Sequence, residues 1–363
     1  MNLEEYLQIL PYELCKEEKH EFLLKELNYL TTKHSAKCTK YKDILEAYNL
    51  SDIKYKEISE FLPLPVRLFK NYELKSCKNE EVIKTLTSSG TTSQQVSKIF
   101  LDKETSTLQT KALVKIMQSF LGKQRLPMLI IDTKSILKNR KMFSARGAGI
   151  LGLSNFGRKH TYALDDNMEI DFDIIEKFLE ENKGQKIFIF GFTFMIWQYF
   201  YTKLKEKKKK LDFSNAILIH SGGWKKLIDQ AVDNNTFKSS LKEQTGINNI
   251  HDFYGMVEQV GSIFVECEEG HLHAPIFADI IVRDPMTMKI NKFGVEGIIE
   301  VLSIMPRSYP GHILLTEDLG TILGEDDCQC GRKGKYFKVK GRLPKAEIRG
   351  CSDTHAFDSK GKK

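Results

Sequence analysis

Between residues 85 and 98 the chain reads Thr-Leu-Thr-Ser-Ser-Gly-Thr-Thr-Ser-Gln-Gln-Val-Ser-Lys, with hydroxyl side chains crowded on both sides of Gly90. A turn of this make-up presents backbone N–H groups and Ser/Thr hydroxyls to a polyanion, and Lys98 adds a cation. A nucleoside triphosphate is the natural guest. A solvent-exposed hydroxyl loop is the plain alternative.

Four further features occur downstream. Residues 216–225 look like an apolar strand that ends in Gly222 and Gly223 before Trp224 and a helix, and such a turn lets a flat ligand approach the backbone. Tyr254 and Gly255 close a strand-like run, with an aromatic able to stack on a base and, at Glu258, an acid able to hold Mg²⁺. Asp318 ends Leu-Leu-Thr-Glu-Asp, where a carboxylate could accept both ribose hydroxyls. Arg342 follows Gly341 ahead of a Pro-containing bend. Other chemistries find less support. Residues 147–152 match G-x-G-x-x-G but no apolar strand precedes them, so close packing of small residues is expected there rather than a dinucleotide site. No Walker-type loop and no G-x-S-x-G elbow occurs.

The elements that must carry these residues alternate. Short apolar runs at 128–131, 186–190, 216–220 and 250–253 suit buried strands, and amphipathic stretches near 104–120, 171–182, 193–211 and 225–243 suit helices. The expected class is α/β with a largely parallel sheet. After residue 260 the runs at 262–267, 278–282, 297–303, 312–315 and 336–339 predict a β-rich region. Residues 1–60 read as amphipathic helices, with Leu23, Leu24, Leu27 and Leu30 at helical spacing, and residues 61–70 as an extended lead-in set by Pro63 and Pro65. The expected division is therefore a helical region 1–60, an α/β core 61–260, a β-rich subdomain 261–345 and a short C-terminal segment 346–363.

Fifty-five basic and 48 acidic side chains leave a net charge of +7 over 363 residues. That excess is mild and partly confined to the run 205–210, so it does not favour nucleic acid, although an acidic partner such as an acyl carrier protein would suit a basic surface. No secretory signal and no apolar run long enough to span a membrane is found. Seven scattered cysteines point to a reducing compartment, with the cytoplasm as the default.

The joint order of hydroxyl-rich loop, glycine turn, Tyr-Gly-x-x-Glu, Thr-x-Asp and Gly-Arg resembles the adenylate-forming superfamily. Within it, residues 63–70, 87–93, 143–149, 220–225 and 348–353 are most similar to the acyl-protein synthetases of bacterial bioluminescence. That resemblance implies an adenylate-forming large domain, of mixed sheets flanked by helices plus a β-rich subdomain, without the usual mobile C-terminal domain. It implies ATP-dependent activation of a fatty acid to acyl-AMP, transfer to an enzyme cysteine, and delivery to a partner acyl reductase. Carried over by residue, Ser88, Ser89, Gly90, Thr91 and Thr92 would hold the ATP phosphates and Gly222 to Trp224 line the adenine. Tyr254 would stack on the base, Glu258 lie near Mg²⁺, Asp318 take the ribose, and Arg342 take phosphate or ribose. Cys351 would be the acyl acceptor, with Arg349 or a protonated His355 lowering its thiol pKa. An acid:CoA ligase of the phenylacetate type is the alternative, separable by its product with CoA present.

Two clusters remain. Cys328 and Cys330 have the spacing of half a metal site, and Cys267 with His273 could complete a structural Zn²⁺ position, His271 competing with His273. Phe190, Gly191 and Phe192 read mostly as core, though they could face an acyl pocket.

Overall fold

The computed structural model describes residues 2–51, 53–88, 96–137 and 145–343. Two compact units divide them. Unit 1 takes the described residues up to Ser88, those from 96 to Ser119, and those from Tyr254 on; unit 2 takes those from Phe120 to Phe253. The N-terminal helices thus share a unit with the β-rich region rather than standing apart, a different division from the one expected at residues 60 and 260.

Unit 2 is built on a parallel sheet in the order Asn249–Tyr254, Ala216–Ser221, Ile187–Phe192, Leu126–Thr133, Gly157–Leu164. Every residue of Leu126–Thr133 and Ile187–Phe192 is buried, as expected when both faces of a parallel strand are covered. One core gathers Leu129, Ile189, Phe200, Leu218 and Phe237 with their neighbours. Taken from Gly157–Leu164 across the sheet, the strands are second, first, third, fourth and fifth in sequence order, so the winding reverses between Leu126–Thr133 and Ile187–Phe192. In open α/β sheets, ligands bind outside the carboxyl ends of the strands at such a reversal.

Unit 1 is antiparallel through Ala278–Arg283, Gly297–Ser303, Ile313–Glu325, Lys335–Arg342, Leu272–His273 and Phe264–Glu266, and Leu64–Pro65 joins Ile313–Glu325 in parallel. A separate hairpin pairs Lys84–Thr87 with Lys98–Leu101. The helix Lys16–Lys37 buries Phe22, Leu23, Leu27 and Leu30, and Leu24 gives way to Phe22 on its inner face.

Several expected boundaries move. The run at 312–315 is the start of a strand that continues to Glu325, hidden in the sequence by the polar Thr-Glu-Asp within it. The stretch 193–211 ends at Glu206 and contains a π-helical segment, Ile196–Tyr201. In place of one helix over 225–243 there is a 3₁₀ segment, Lys225–Gln230, and then a helix, Asn234–Thr245, whose N-cap Asp233 accepts from the Thr236 N–H at 2.9 Å. The lead-in is extended only through its prolines, since Leu68–Asn71 is helical. The G-x-G-x-x-G residues lie inside the helix Ala145–Ser154, where a Cβ on Gly149 would stand 3.1 Å from the Phe192 ring. Among the described residues no helix is long and apolar enough to cross a membrane.

Candidate active site

The hydroxyl-rich loop spans the two strands of the small hairpin. Ser88 and Ser97 close its mouth, with Ser88 N–H donating to the Ser97 carbonyl (3.1 Å) and Ser97 N–H to Ser88 Oγ (2.9 Å). Ser89, Gly90, Thr91 and Thr92 lie outside the described residues, as do Cys351 and His355. Lys98 places its ammonium 3.4 Å from Glu73 Oε1, at an exposed position.

Asp318 owes its position to two irregularities, one in its own strand and one in the strand beside it. Ile298 pairs with Leu319 and Glu300 with Leu315, so Thr316, Glu317 and Asp318 stand opposite Ile299 alone. Across the other edge, Leu319 pairs with Gly341 and Gly320 with Val339, leaving Lys340 bulged. Such bulges bend a strand and re-aim its side chains. Thr316 pins the first of them: its hydroxyl donates to the Ile299 carbonyl (2.7 Å) and accepts from the Asp318 N–H (3.1 Å). Glu317 meets Arg67 at 2.9 Å, and Val66 N–H donates to the Leu315 carbonyl at 3.0 Å. The Pro-Leu-Pro-Val-Arg segment is therefore the parallel neighbour of the residues leading into Asp318.

Three predicted site residues meet within unit 1. Tyr254 Oη donates to Asp318 Oδ2 at 2.7 Å, and Arg342, opposite Asp318 in register, brings Nε to 3.6 Å from Asp318 Oδ1. Burial, then the adjacent carboxylate, pushes the Tyr254 phenol well above its ordinary pKa, so it stays a donor. Its ring lies among Phe264 and Phe337, centroids 6.1 and 6.2 Å away. Gly255 is exposed beside it. Glu258 is buried in the short turn Val257–Gln259, and its carbonyl accepts from Tyr309 Oη at 2.9 Å.

Unit 2 holds the remaining members at the carboxyl ends of its strands. Gly222 has φ +83°, a conformation that favours glycine, and a Cβ there would lie 3.0 Å from Phe192. Gly223 is exposed and Trp224 packs edge-on to Trp197, centroids 5.6 Å apart. Phe190 and Phe192 are both buried in a T-shaped pair, and Gly191 between them leaves room for Ile131 and Ile196. Two contacts at this edge escaped the sequence reading, although His220 and Arg146 lie in segments it singled out. His220 Nδ1 lies 2.9 Å from the Thr193 hydroxyl, and burial drives its imidazole down to about 3, so it is neutral. Asp132 and Arg146 form an ion pair at 2.9 Å, both almost wholly buried, in the gap where the winding reverses. An Asp and an Arg 14 positions apart carry no spacing signal.

Also outside the sequence reading is an apolar cavity of about 830 Å³ in unit 1, lined by Ile44, Phe61, Leu62, Leu64, Leu68 and Leu315 among others. Within the same unit, one ligand atom each from Cys267, His273, Cys328 and Cys330 lies within 4.8 Å of the other three.

A family model described as acyl-protein synthetase, LuxE, matches residues 4–357. The long-chain-fatty-acid–luciferin-component ligase of Aliivibrio fischeri is 27% identical over 200 residues, 52% of this chain and 50% of that protein. The protein of the same name from Vibrio harveyi is 28% identical over 148 residues, 39% and 38% of the two chains. The chain thus spans half or less of the length of these curated relatives. Among solved structures, 2-hydroxyisobutyryl-CoA ligase in the postadenylation state shares the fold, with a TM-score of 0.69 at 15% identity over 92% of this chain and 69% of that one. By the near-complete match of its sequence, this chain belongs to the acyl-protein synthetase family.

Proposed function

We propose that the chain activates a fatty acid with ATP and Mg²⁺ and then carries the acyl group on its own cysteine. The observation that carries this reading is the Tyr254–Asp318–Arg342 cluster where two neighbouring strands are each bulged, in a chain of this family. An anion placed against a tyrosine donor and flanked by an arginine is suited to gripping ribose hydroxyls while the cation faces phosphate.

In the first step the substrate carboxylate oxygen attacks the α-phosphorus and the bond to the β-phosphate oxygen breaks, giving acyl-AMP and pyrophosphate. Ser88 to Thr92 and Arg342 would hold the charged oxygens, with Mg²⁺ near Glu258 neutralising charge when bound. Gly222, Gly223 and Trp224 are proposed to line the adenine, Tyr254 to stack on the base, and Gly255 to contact the nucleotide. Phe190, Gly191 and Phe192 are the proposed wall for the acyl group. In the second step the Cys351 thiolate attacks the acyl carbon and AMP departs, leaving a thioester, with His355 assisting ionisation of the thiol. By the names of its relatives, the acyl group then passes to a luciferin-component-type partner, read as an acyl reductase; an acyl carrier protein is a further candidate acceptor, and the cytoplasm the proposed compartment.

The test is acid-dependent exchange of labelled pyrophosphate into ATP, followed by covalent labelling of the chain with radioactive fatty acid. Wild type should do both. Cys351→Ser should keep exchange and lose the label. Absence of exchange with every acid tried removes the adenylation step, unchanged labelling of the variant removes the thioester step, and a CoA thioester as sole product assigns the acid:CoA ligase activity instead.

A further inference from the structure

Cys267 and His273 are fully buried and Cys328 nearly so, although thiols and imidazoles gathered this way serve no step proposed above. Cys267 Sγ lies 4.0 Å from Cys328 Sγ, and Cys330 Sγ lies 3.4 Å from His273 Nε2. A tetrahedral zinc, with bonds of about 2.3 Å to sulfur and about 2.0 Å to nitrogen, sets its ligand atoms roughly 3.5–3.8 Å apart. The two separations fall on either side of that range. A disulfide needs its sulfurs about 2.05 Å apart, half the distance found between Cys267 and Cys328. Two tight turns present the sulfurs: Gly270 N–H donates to the Cys267 carbonyl, and Gly331 N–H to the Cys328 carbonyl, both at 3.0 Å.

His271 is the competing imidazole. Its Nδ1 lies 3.5 Å from Cys328 Sγ, yet the group of four mutually close ligand atoms contains His273. We propose that Cys267, His273, Cys328 and Cys330 hold a structural zinc ion, with His271 as an outer partner that donates a hydrogen bond to the Cys328 sulfur. Four protein ligands leave no open coordination position, so the ion has no part in acyl transfer. It fastens the turn between Ile313–Glu325 and Lys335–Arg342 to Leu272–His273 and to the end of Phe264–Glu266. Three thiolates around Zn²⁺ leave one negative charge, and Arg332, held by Glu268, lies beside Cys330 with donors to offer its sulfur. An outer partner of this kind orients its ligand and tunes the metal.

This inference stands apart from the adenylation reading. The test is the metal content of the full-length chain purified under reducing conditions from zinc-supplemented cells, with cobalt as a spectroscopic probe after chelation and reloading. One zinc per chain, and a cobalt form with thiolate charge-transfer and tetrahedral d–d absorption, are expected. Cys330→Ser and His273→Ala should lose at least tenfold in zinc content, and His271→Ala should retain the ion. A folded, fully reduced wild-type chain that takes up neither metal overturns the site, and zinc lost from His271→Ala but kept in His273→Ala overturns the ligand assignment. Pyrophosphate exchange on the same preparation separates the readings: zinc without exchange leaves this site standing while the adenylation proposal falls.

Discussion

The two ends of the hairpin formed by Ile313–Glu325 and Lys335–Arg342 differ in what their side chains reach. At one end Thr316–Asp318 and Lys340 are bulged out of register, and a charged pair, Asp318 with Arg342, faces a tyrosine donor. At the other end the turn residues Cys328 and Cys330 reach sulfur and imidazole partners, and Lys335 is tied to Asp279 at 2.7 Å. Irregular pairing gives up ladder hydrogen bonds to aim side chains; the far end, where Leu323 is also bulged, adds cross-links. A strand pair with a site at one end needs its other end fixed, because slippage by one residue would turn every side chain to the wrong face.

The comparison can be broken most sharply at Asp318. Asp318→Asn keeps the shape and removes the charge, so pyrophosphate exchange should fall by about a hundredfold, on the order of 3 kcal/mol of transition-state stabilisation. Its melting temperature should stay near that of wild type, and a parallel collapse of stability would make Asp318 structural. At the other end the signs reverse: Asp279→Asn should cost about 2 kcal/mol at neutral pH with little effect on the exchange activity of the folded fraction. Burial raises the Asp279 carboxyl, but Lys19 and Lys335 outweigh it and hold the group at about 2, below its ordinary 3.8. A depressed carboxyl contributes stability that is complete above pH 4 and lost as the pH falls toward 2, so urea titrations across that window should show an acid limb that the variant flattens. Lys335, at 2.7 Å against 3.3 Å for Lys19, is the closer partner. Tyr254→Phe should have the smallest effect. Loss of one phenol hydrogen bond to a carboxylate predicts a three- to tenfold rise in the KM for ATP, about 1 kcal/mol. An unchanged KM would detach the Tyr254–Asp318 contact from nucleotide binding.

Fold class and most strands were legible because their residues are buried on both faces and read as unbroken apolar runs, as at 128–131 and 278–282. Gly157–Leu164 was missed: it is an edge strand whose Arg158, Lys159 and His160 face outward and break the apolar pattern. The hairpin around the hydroxyl-rich loop was missed because Lys84–Thr87 has no buried residue. At the site, the linear order of motifs pointed to Tyr254, Asp318 and Arg342, but not to the bond between phenol and carboxylate, which depends on bulges that no local pattern announces. Spacing suggested the cysteines. Only packing separates His273 from His271, since each is a short step from Cys267 in the chain.

Pro63 and Pro65 carry a consequence for behaviour in concentrated solution. Val66 directs its N–H inward to Leu315, and backbone donors alternate along an extended strand, so the donors that would face outward belong to the two prolines. Those donors do not exist. The short strand that completes the flank of the residues before Asp318 therefore offers no full row of groups for another chain to zip onto, and this margin of the sheet is protected against edge-to-edge association by its own covalent structure.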